Sequence, residues 1–389
     1  MRRRMTPDHS ETWCIAGGRV LRPEGVAAGD LCLAEGRIAG AAPANARRFE
    51  ARGLLVLPGL VDIHGDAHER CLQPRPGVGF PPAMAVRDAA AQMLAAGITT
   101  GFLGVTLSWE PGLRSLEAWR GLLAALAEAP PAAPELRIHC RFEADNLDAL
   151  DEVLAAIAGG RVHLLGFNDH TPAILRRLDD AQQLAKYAGR AGMAPEDFAA
   201  LARRVASRRG EVPAARARLA DACRAAGVPM LSHDDATLED RAHYRAQGAR
   251  MAEFPMAEAI AADARAHGEA VVMGAPNVVR GGSHLGWASA APLAERGLVT
   301  VLASDYHWPA MLEAAFVMVQ RGVLDLGQAW ALVSANPAAA AGLADRGRLA
   351  PGLRGDVVLL AEEGGPRVVA AFCAGRLAYL APEGGGRLA

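Results

Sequence analysis

One pattern governs what this chain can become. Short apolar runs, each followed by an Ala- and Leu-rich stretch of helical period, repeat through its middle. Such alternation specifies βα units around a parallel sheet, whose strands are buried on both faces and read as nearly unbroken apolar runs. The runs fall near Leu54 to Ile63, Thr99 to Val105, Leu136 to Phe142, Val162 to Phe167, Val228 to Leu231, Arg250 to Phe254, Ala270 to Met273 and Val299 to Ala303. Eight strands predict a closed barrel; the sixth is short enough to read equally as a helix end. A barrel needs about 250 residues, so a chain of 389 leaves material at both ends.

Those ends read differently. Trp13 to Val20, Gly29 to Leu33 and Arg37 to Ala41 near the start, and Asp356 to Leu360, Arg367 to Phe372 and Arg376 to Leu380 near the finish, are short strand-like segments punctuated by Gly and Pro. Together they predict one small β-sandwich domain formed by both termini. The expected fold class is α/β: a (β/α)8 TIM barrel over residues 54–345, with sandwich portions at residues 1–53 and 346–389. The stretch from His170 to His233 is too long for one loop and one helix, so a helical insertion is expected near residues 172–227. From Ile174 to Ala226 it carries eleven Lys or Arg against six Asp or Glu. A solvated helical face and an anion-binding lid fit that imbalance equally.

Composition narrows the partners. A formal charge of −2 gives no global attraction for nucleic acid or an anionic membrane, so any basic site is local. The three arginines near the start precede no signal-like apolar run, and no stretch approaches the ~18 apolar residues of a membrane span. The cysteines, at 14, 32, 71, 140, 223 and 373, include no CxxC pair, which argues for reduced thiols in a cytoplasm rather than disulfides or a thiolate zinc site. Lys186 is the sole lysine.

Polar, metal-capable residues recur where the runs end, the face on which barrel enzymes build their sites. The first run ends in His64-Gly65-Asp66, the third in Arg141-Phe142-Glu143, the fourth in Asn168-Asp169-His170, the fifth in His233-Asp234-Asp235 and the eighth in Ser304-Asp305. A single such residue is more often a cap or a turn, but recurrence after apolar strands points to a shared cation. The candidate metal ligands are His64, Asp66, Glu143, His170, His233 and Asp305; Asp305 and His233 are also the candidate catalytic groups, Asp305 as proton acceptor. Nitrogen and oxygen donors suit zinc first, with manganese or magnesium as alternatives. A water activated by that ion is the expected nucleophile.

An anion cradle is expected beside it. Arg280-Gly281-Gly282-Ser283-His284 offers a guanidinium, backbone N–H groups, a hydroxyl and an imidazole after the seventh run, though a glycine turn near a surface arginine has the same sequence. Arg75, between two prolines, is a stiffly held phosphate clamp or part of a rigid surface loop. Tyr187 and Arg190 either close over a substrate or face solvent.

The run Leu57-Pro58-Gly59-Leu60-Val61-Asp62-Ile63-His64 resembles the first strand of the amidohydrolase superfamily, whose members usually continue as His-x-His. Here Asp66 stands in place of the second histidine, away from the hydantoinase and dihydroorotase pattern. No barrel lysine is available for carboxylation, and the resemblance implies Glu143 in its place. Further segments are similar to one branch, the diphosphatases of phosphonate metabolism: His64 to Arg70, Pro74 to Val78, Ser108 to Gly112, Phe167 to Pro172, Ser232 to Asp235, Glu253 to Pro255, Gly274 to His284 and Ser304 to Tyr306. His307-Trp308 departs from that branch, so a different pocket rim is expected.

That resemblance implies an amidohydrolase-type barrel, contact between substrate and Asn277, and hydrolysis of a ribose methylphosphonate triphosphate to its 5-phosphate and pyrophosphate. The expected assembly is a homodimer acting on a small phosphorylated molecule, with neither nucleic acid nor membrane as partner. Two other readings compete: cleavage of a C–N bond in a small polar substrate, and a non-catalytic barrel scaffold. A scaffold predicts a broken ligand set, whereas this set is intact.

Overall fold

The computed structural model describes residues 11–388 apart from 43, 76, 129–133 and 283–287. The chain starts in strands β1 (Trp13–Arg22), β2 (Gly25–Ala34), β3 (Arg37–Ala39), β4 (Arg47–Glu50) and β5 (Leu55–Pro58). It then enters eight parallel strands: β6 (Leu60–Gly65), β7 (Ile98–Leu107), β8 (Glu135–Glu143), β9 (Leu164–Asn168), β10 (Met230–His233), β11 (Met251–Glu253), β12 (Ala270–Gly274) and β13 (Val301–Ala303). Three antiparallel strands finish it: β14 (Val357–Ala361), β15 (Arg367–Cys373) and β16 (Arg376–Leu380).

The barrel strands are buried almost throughout, all ten residues of β7 included, which explains their unbroken apolar sequences. The ring closes between β6 and β13. The Asp305 N–H donates to the His64 carbonyl at 2.8 Å and the Asp66 N–H to the Asp305 carbonyl at 2.9 Å. Beneath this seam the buried Asp62 carboxylate accepts from the backbone N–H groups of His64 and Ser304 and from the Ser304 hydroxyl. Gly65 fits there because a Cβ would lie 2.6 Å from Asp62 Oδ2 and 3.0 Å from Ser304 Oγ. The sixth run is a strand, paired with β10 and β12.

The first predicted run splits in two. Gly59 marks the break, where a Cβ would sit 2.1 Å from Thr99 Oγ1, and the chain passes there from the terminal sheet into the barrel. The terminal strands follow the order β16-β15-β14-β5-β1-β2-β3, with β4 beside β1. Flat spacing would put β15 about 14 Å from β1, yet the Trp13 and Phe372 rings meet at 5.3 Å, so the sheet curls round its own core. β5 and β14 serve two cores at once. Leu55, Leu57, Val358 and Leu360 pack with the barrel's helical layer, while Val56 and Leu359 pack with Trp13, Phe49 and Phe372.

The insertion holds helices at Thr171–Leu175, Ala181–Ala191, Pro195–Ala206 and Val212–Ala226. Asp180 caps the second through the N–H groups of Gln182 and Gln183, and Gly192 ends it in the left-handed conformation. Leu178, Ala188, Phe198 and Ala202 give the insertion a small core of its own, whereas Leu219 and Cys223 bring the last helix onto the barrel. All six cysteines are free thiols. Among the described residues no helix is long and apolar enough to cross a membrane.

The barrel floor is tied to the C-terminal segment at Glu135, whose carboxylate meets Arg346 at 2.8 Å, Arg354 at 2.5 Å and Arg137 at 2.6 Å. Burial alone would raise this carboxyl, but the three guanidiniums hold it down at about 2. A depressed carboxylate stabilises the fold above the ordinary glutamate range and loses that contribution as pH falls toward its folded value. Glu135→Gln, which removes one of the two carboxylates holding the nearly buried Arg346, is expected to cost about 2 kcal/mol near neutral pH. Thermal unfolding of both proteins checks it: the gap in Tm should narrow steadily on acidification from about pH 5 toward pH 2.

Candidate active site

The barrel's carboxyl-terminal rim carries the polar groups, and strand geometry explains how they converge. His64 ends β6 with Asp66 just beyond it; His139, Arg141 and Glu143 alternate along β8, so all three side chains share one face. His170 follows β9, His233 and Glu253 end β10 and β11, and Asp305 follows β13. Asp234, Phe254 and Asp305 have φ of 58°, 52° and 55°, yet each N–H still bonds to the neighbouring strand. Left-handed residues held within the ladder turn the chain outward immediately past the ligands, at a local conformational cost.

Among the described residues, three sets of side chains bring ligand atoms within 4.8 Å of one another: His64, His139 and Glu253; His64, Asp66 and Asp305; and His170, His233 and Asp234. His64 belongs to two of them, so the first two form one continuous patch. Nδ1 of His64 lies 2.7 Å from Oε1 of Glu253, but neither atom has a hydrogen-bond partner, nor does Nε2 of His139. The other nitrogen of His139 contacts the Ile63 carbonyl at 3.1 Å. The ring of His139 lies against Gly166, where a Cβ would be 2.8 Å from its Nε2. Buried polar atoms without partners, gathered at one place, are the donor set a divalent cation satisfies.

Protonation agrees with that fit. Burial, followed by the Arg141 charge, holds His64 down at about 3; burial does the same to His139, despite the Glu253 carboxylate. Both rings are therefore neutral at physiological pH and offer a lone pair. His170 behaves in the opposite way. Its Nδ1 lies 2.5 Å from Glu143 Oε1, and that carboxylate, against the effect of burial, lifts it to about 9. A surplus of negative charge that retains a proton there would also retain a metal cation.

The expected residues thus have unequal fates. His64, Asp66, His170, His233 and Asp305 lie in the clusters, whereas both Glu143 oxygens are engaged by His170, at its ring and at its N–H, outside them. His233 is held at both nitrogens, by Glu253 Oε2 at 2.8 Å and by Arg141 Nη2 at 2.8 Å. His139, Glu253, Asp234 and Arg141 were not assigned roles from sequence. Period-two spacing before Arg141 and Glu143 is the signal that marks His139.

Beside the third set, a cleft of about 580 Å³ is lined by His170, His233 and Asp234 and by Arg176 and Arg177. Among the described residues neither arginine has an acidic partner, although much of the insertion's other charge is committed. Arg190 grips Glu110 at 2.6 Å and lies over the Tyr187 ring, which stacks on Phe198. Arg209 pairs with Asp145 and Asp169, and Arg216 also pairs with Asp169. Asn277 Nδ2 and Asp305 Oδ2 approach the same face of Gly274. Arg280 donates to the Tyr306 hydroxyl at 3.1 Å, and Arg75 is exposed. Ser283 and His284 lie outside the described residues. His307 is exposed, while Trp308 is buried beneath Gly65, so this departure changes the packing under the site as well as its rim.

No family model matches the chain. A relative from Escherichia coli (strain K12), α-D-ribose 1-methylphosphonate 5-triphosphate diphosphatase, is 34% identical over 350 residues, covering 86% of this chain and 91% of that one. Solved structures with a similar fold include N-acetylglucosamine-6-phosphate deacetylase from Pasteurella multocida, with a TM-score of 0.63, 10% identity and coverage of 94% of this chain and 99% of that one. Molinate hydrolase has a TM-score of 0.62 at 16% identity, covering 95% of each chain. Dihydropyrimidinase from Brevibacillus agri has 0.57 at 13%, again covering 95% of each. At these identities the likeness is one of fold: the amidohydrolase-type barrel with its appended sheet.

The pairing of Glu143 with His170 makes a measurable claim. In chelator-treated protein, histidine NMR should find His170 titrating near about 9. Glu143→Gln, by removing the carboxylate that holds the proton, should lower that value to the ordinary histidine range or below. An unchanged titration would mean that the carboxylate does not set it.

Proposed function

The chain belongs to the α-D-ribose 1-methylphosphonate 5-triphosphate diphosphatase family, and from that membership we propose that it is a metal-assisted phosphohydrolase cleaving this triphosphate to the 5-phosphate and pyrophosphate. The supporting observation is that one cleft is lined both by His170, His233 and Asp234 and by Arg176 and Arg177. A polyphosphate needs both, a cation among its oxygens and guanidiniums at its far end.

A divalent cation, zinc for preference given imidazole and carboxylate donors, held by His64, Asp66 and Asp305 with His139 and Glu253 adjacent, would supply a water of lowered pKa and polarise the phosphoryl oxygen. His170 and Asp234, with His233 once its Nε2 exchanges Arg141 for metal, are the candidate holders of a second ion. Burial, followed by the Asp66 carboxylate, lifts Asp305 to about 7, a range suited to taking and releasing a proton. His233, fixed between Glu253 and Arg141, has the rigidity of an orienting group. Arg75, Asn277, Arg280, Ser283 and His284 remain the candidate phosphate contacts after the first and seventh barrel strands, with Tyr187 and Arg190 at the insertion. We further propose a cytoplasmic location, on the basis of its dispersed free thiols, and a homodimeric assembly.

Incubation of metal-replete protein with the ribose methylphosphonate triphosphate is expected to release one pyrophosphate per turnover. Turnover of a cyclic amide without pyrophosphate release would favour C–N bond hydrolysis instead. Asp305→Asn should lower kcat by about a hundredfold or more while the protein keeps its Tm. An unchanged kcat would remove the aspartate from the proton-accepting role.

A further inference from the structure

The roles assigned so far leave one buried charge unused. Arg141 projects from β8 between His139 and Glu143, with its side chain only 8% exposed. Its Nη2 lies 2.8 Å from His233 Nε2, and its Nη1 lies 3.6 Å from Asp66 Oδ2, an electrostatic contact too long for a hydrogen bond. The guanidinium therefore stands between the two candidate cation sites and touches a member of each. Its third nitrogen, Nε, is buried with no hydrogen-bond partner.

Arg216 also leaves its Nε unpaired but is anchored to the Asp169 carboxylate, whereas Arg141 has no such anchor. A buried arginine is usually gripped by a carboxylate, yet among the described residues no carboxylate hydrogen-bonds to this one, Asp66 being its nearest ion-pair partner at 3.6 Å. A buried N–H donor left unpaired is costly, and more so when it is charged. A guanidinium without a carboxylate anchor, set among candidate cation ligands, suits an anionic acceptor such as the oxygens of a phosphoryl group.

We propose that Arg141 is a catalytic residue, whose guanidinium donates to the non-bridging oxygens of the phosphoryl group under attack and stabilises the charge that develops there. This rests on the reading of the chain as a triphosphate diphosphatase. In that reaction the water oxygen bonds to phosphorus and the P–O bond joining the α and β phosphates breaks. Its electron pair leaves with the departing group, and the water's proton passes to a carboxylate. Charge spreads over the equatorial oxygens at the moment of transfer, and a fixed guanidinium between the cation sites is placed to meet it.

The test uses metal-replete Arg141→Ala and Arg141→Lys, with pyrophosphate release, metal content per chain and Tm measured together. For both, kcat should fall about 10²–10³-fold while KM changes by less than about threefold and metal content stays at the wild-type level. Added guanidinium ion, at concentrations that leave Tm unchanged, should restore part of the rate to Arg141→Ala and none to wild type. Should the alanine variant not fold, a large kcat loss in Arg141→Lys at wild-type Tm and metal content supports the same role. Rates within about threefold of wild type overturn the proposal, as does a loss that tracks missing metal and resists guanidinium. Wild-type protein that releases no pyrophosphate overturns the substrate reading and this proposal together; wild-type turnover beside unaffected variants overturns this proposal alone.

Discussion

One buried carboxylate closes the ring on which the rest is mounted. Asp62 accepts three hydrogen bonds, from the His64 N–H and from both the N–H and the hydroxyl of Ser304, with its side chain wholly removed from solvent. Burial lifts its carboxyl to about 6, against the pull of those donors, so the seam holds its charge at neutral pH through hydrogen bonds and not through a cationic partner. The residues joined here are 242 apart in sequence. Because the seam fixes β6 against β13, His64, Asp66 and Asp305 converge although they come from the first and last barrel strands. The site is thus a by-product of closure: register at the seam sets register among the ligands.

Electrostatics organise the rim in a similar way. Nearly all the chain's cations are arginines, and in the insertion they act largely as fasteners. Arg190 to Glu110, Arg209 to Asp145 and Asp169, and Arg216 to Asp169 tie the added helices to barrel loops with several donors per carboxylate. Such part-buried, multidentate pairs hold position better than exposed single contacts, of which Arg218 with Asp151 is one. Once these charges are neutralised, Arg176 and Arg177 at the cleft stand out from a surplus that looked diffuse in sequence.

The barrel was legible because double-sided burial writes itself as uninterrupted apolar sequence. The same rule concealed the break at Gly59: β5 is buried on both faces in one sheet and β6 in another, so the run reads straight through. β4 was invisible for the opposite reason, since Arg47, Arg48 and Glu50 are polar and only Phe49 faces a core. In the site, most residues at or just past a strand end were legible, and the one deeper in a strand was not. His139 lies four residues before the end of β8, and its role depends on Gly166 making room for the ring. Glu253 stood at a strand end, but a three-residue strand carries little periodicity. Arg141 could not be weighed from sequence at all, because its unpaired nitrogen exists only in three dimensions.

The two-faced strands β5 and β14 also impose an order of events on synthesis. β5 leaves the ribosome with one neighbour in β1, while the partner for its other edge, β14, follows about three hundred residues later. At translation rates of about 5–20 residues per second, that edge waits roughly 15–60 s with its ladder groups unpaired. Its side chains, Leu55 and Leu57 on one side and Val56 on the other, are all apolar and meant for two interiors that do not yet exist. The nascent protein therefore presents a naked β-edge through most of its birth, the kind of surface that chaperones cover and that neighbouring chains on a polysome can mistake for their own.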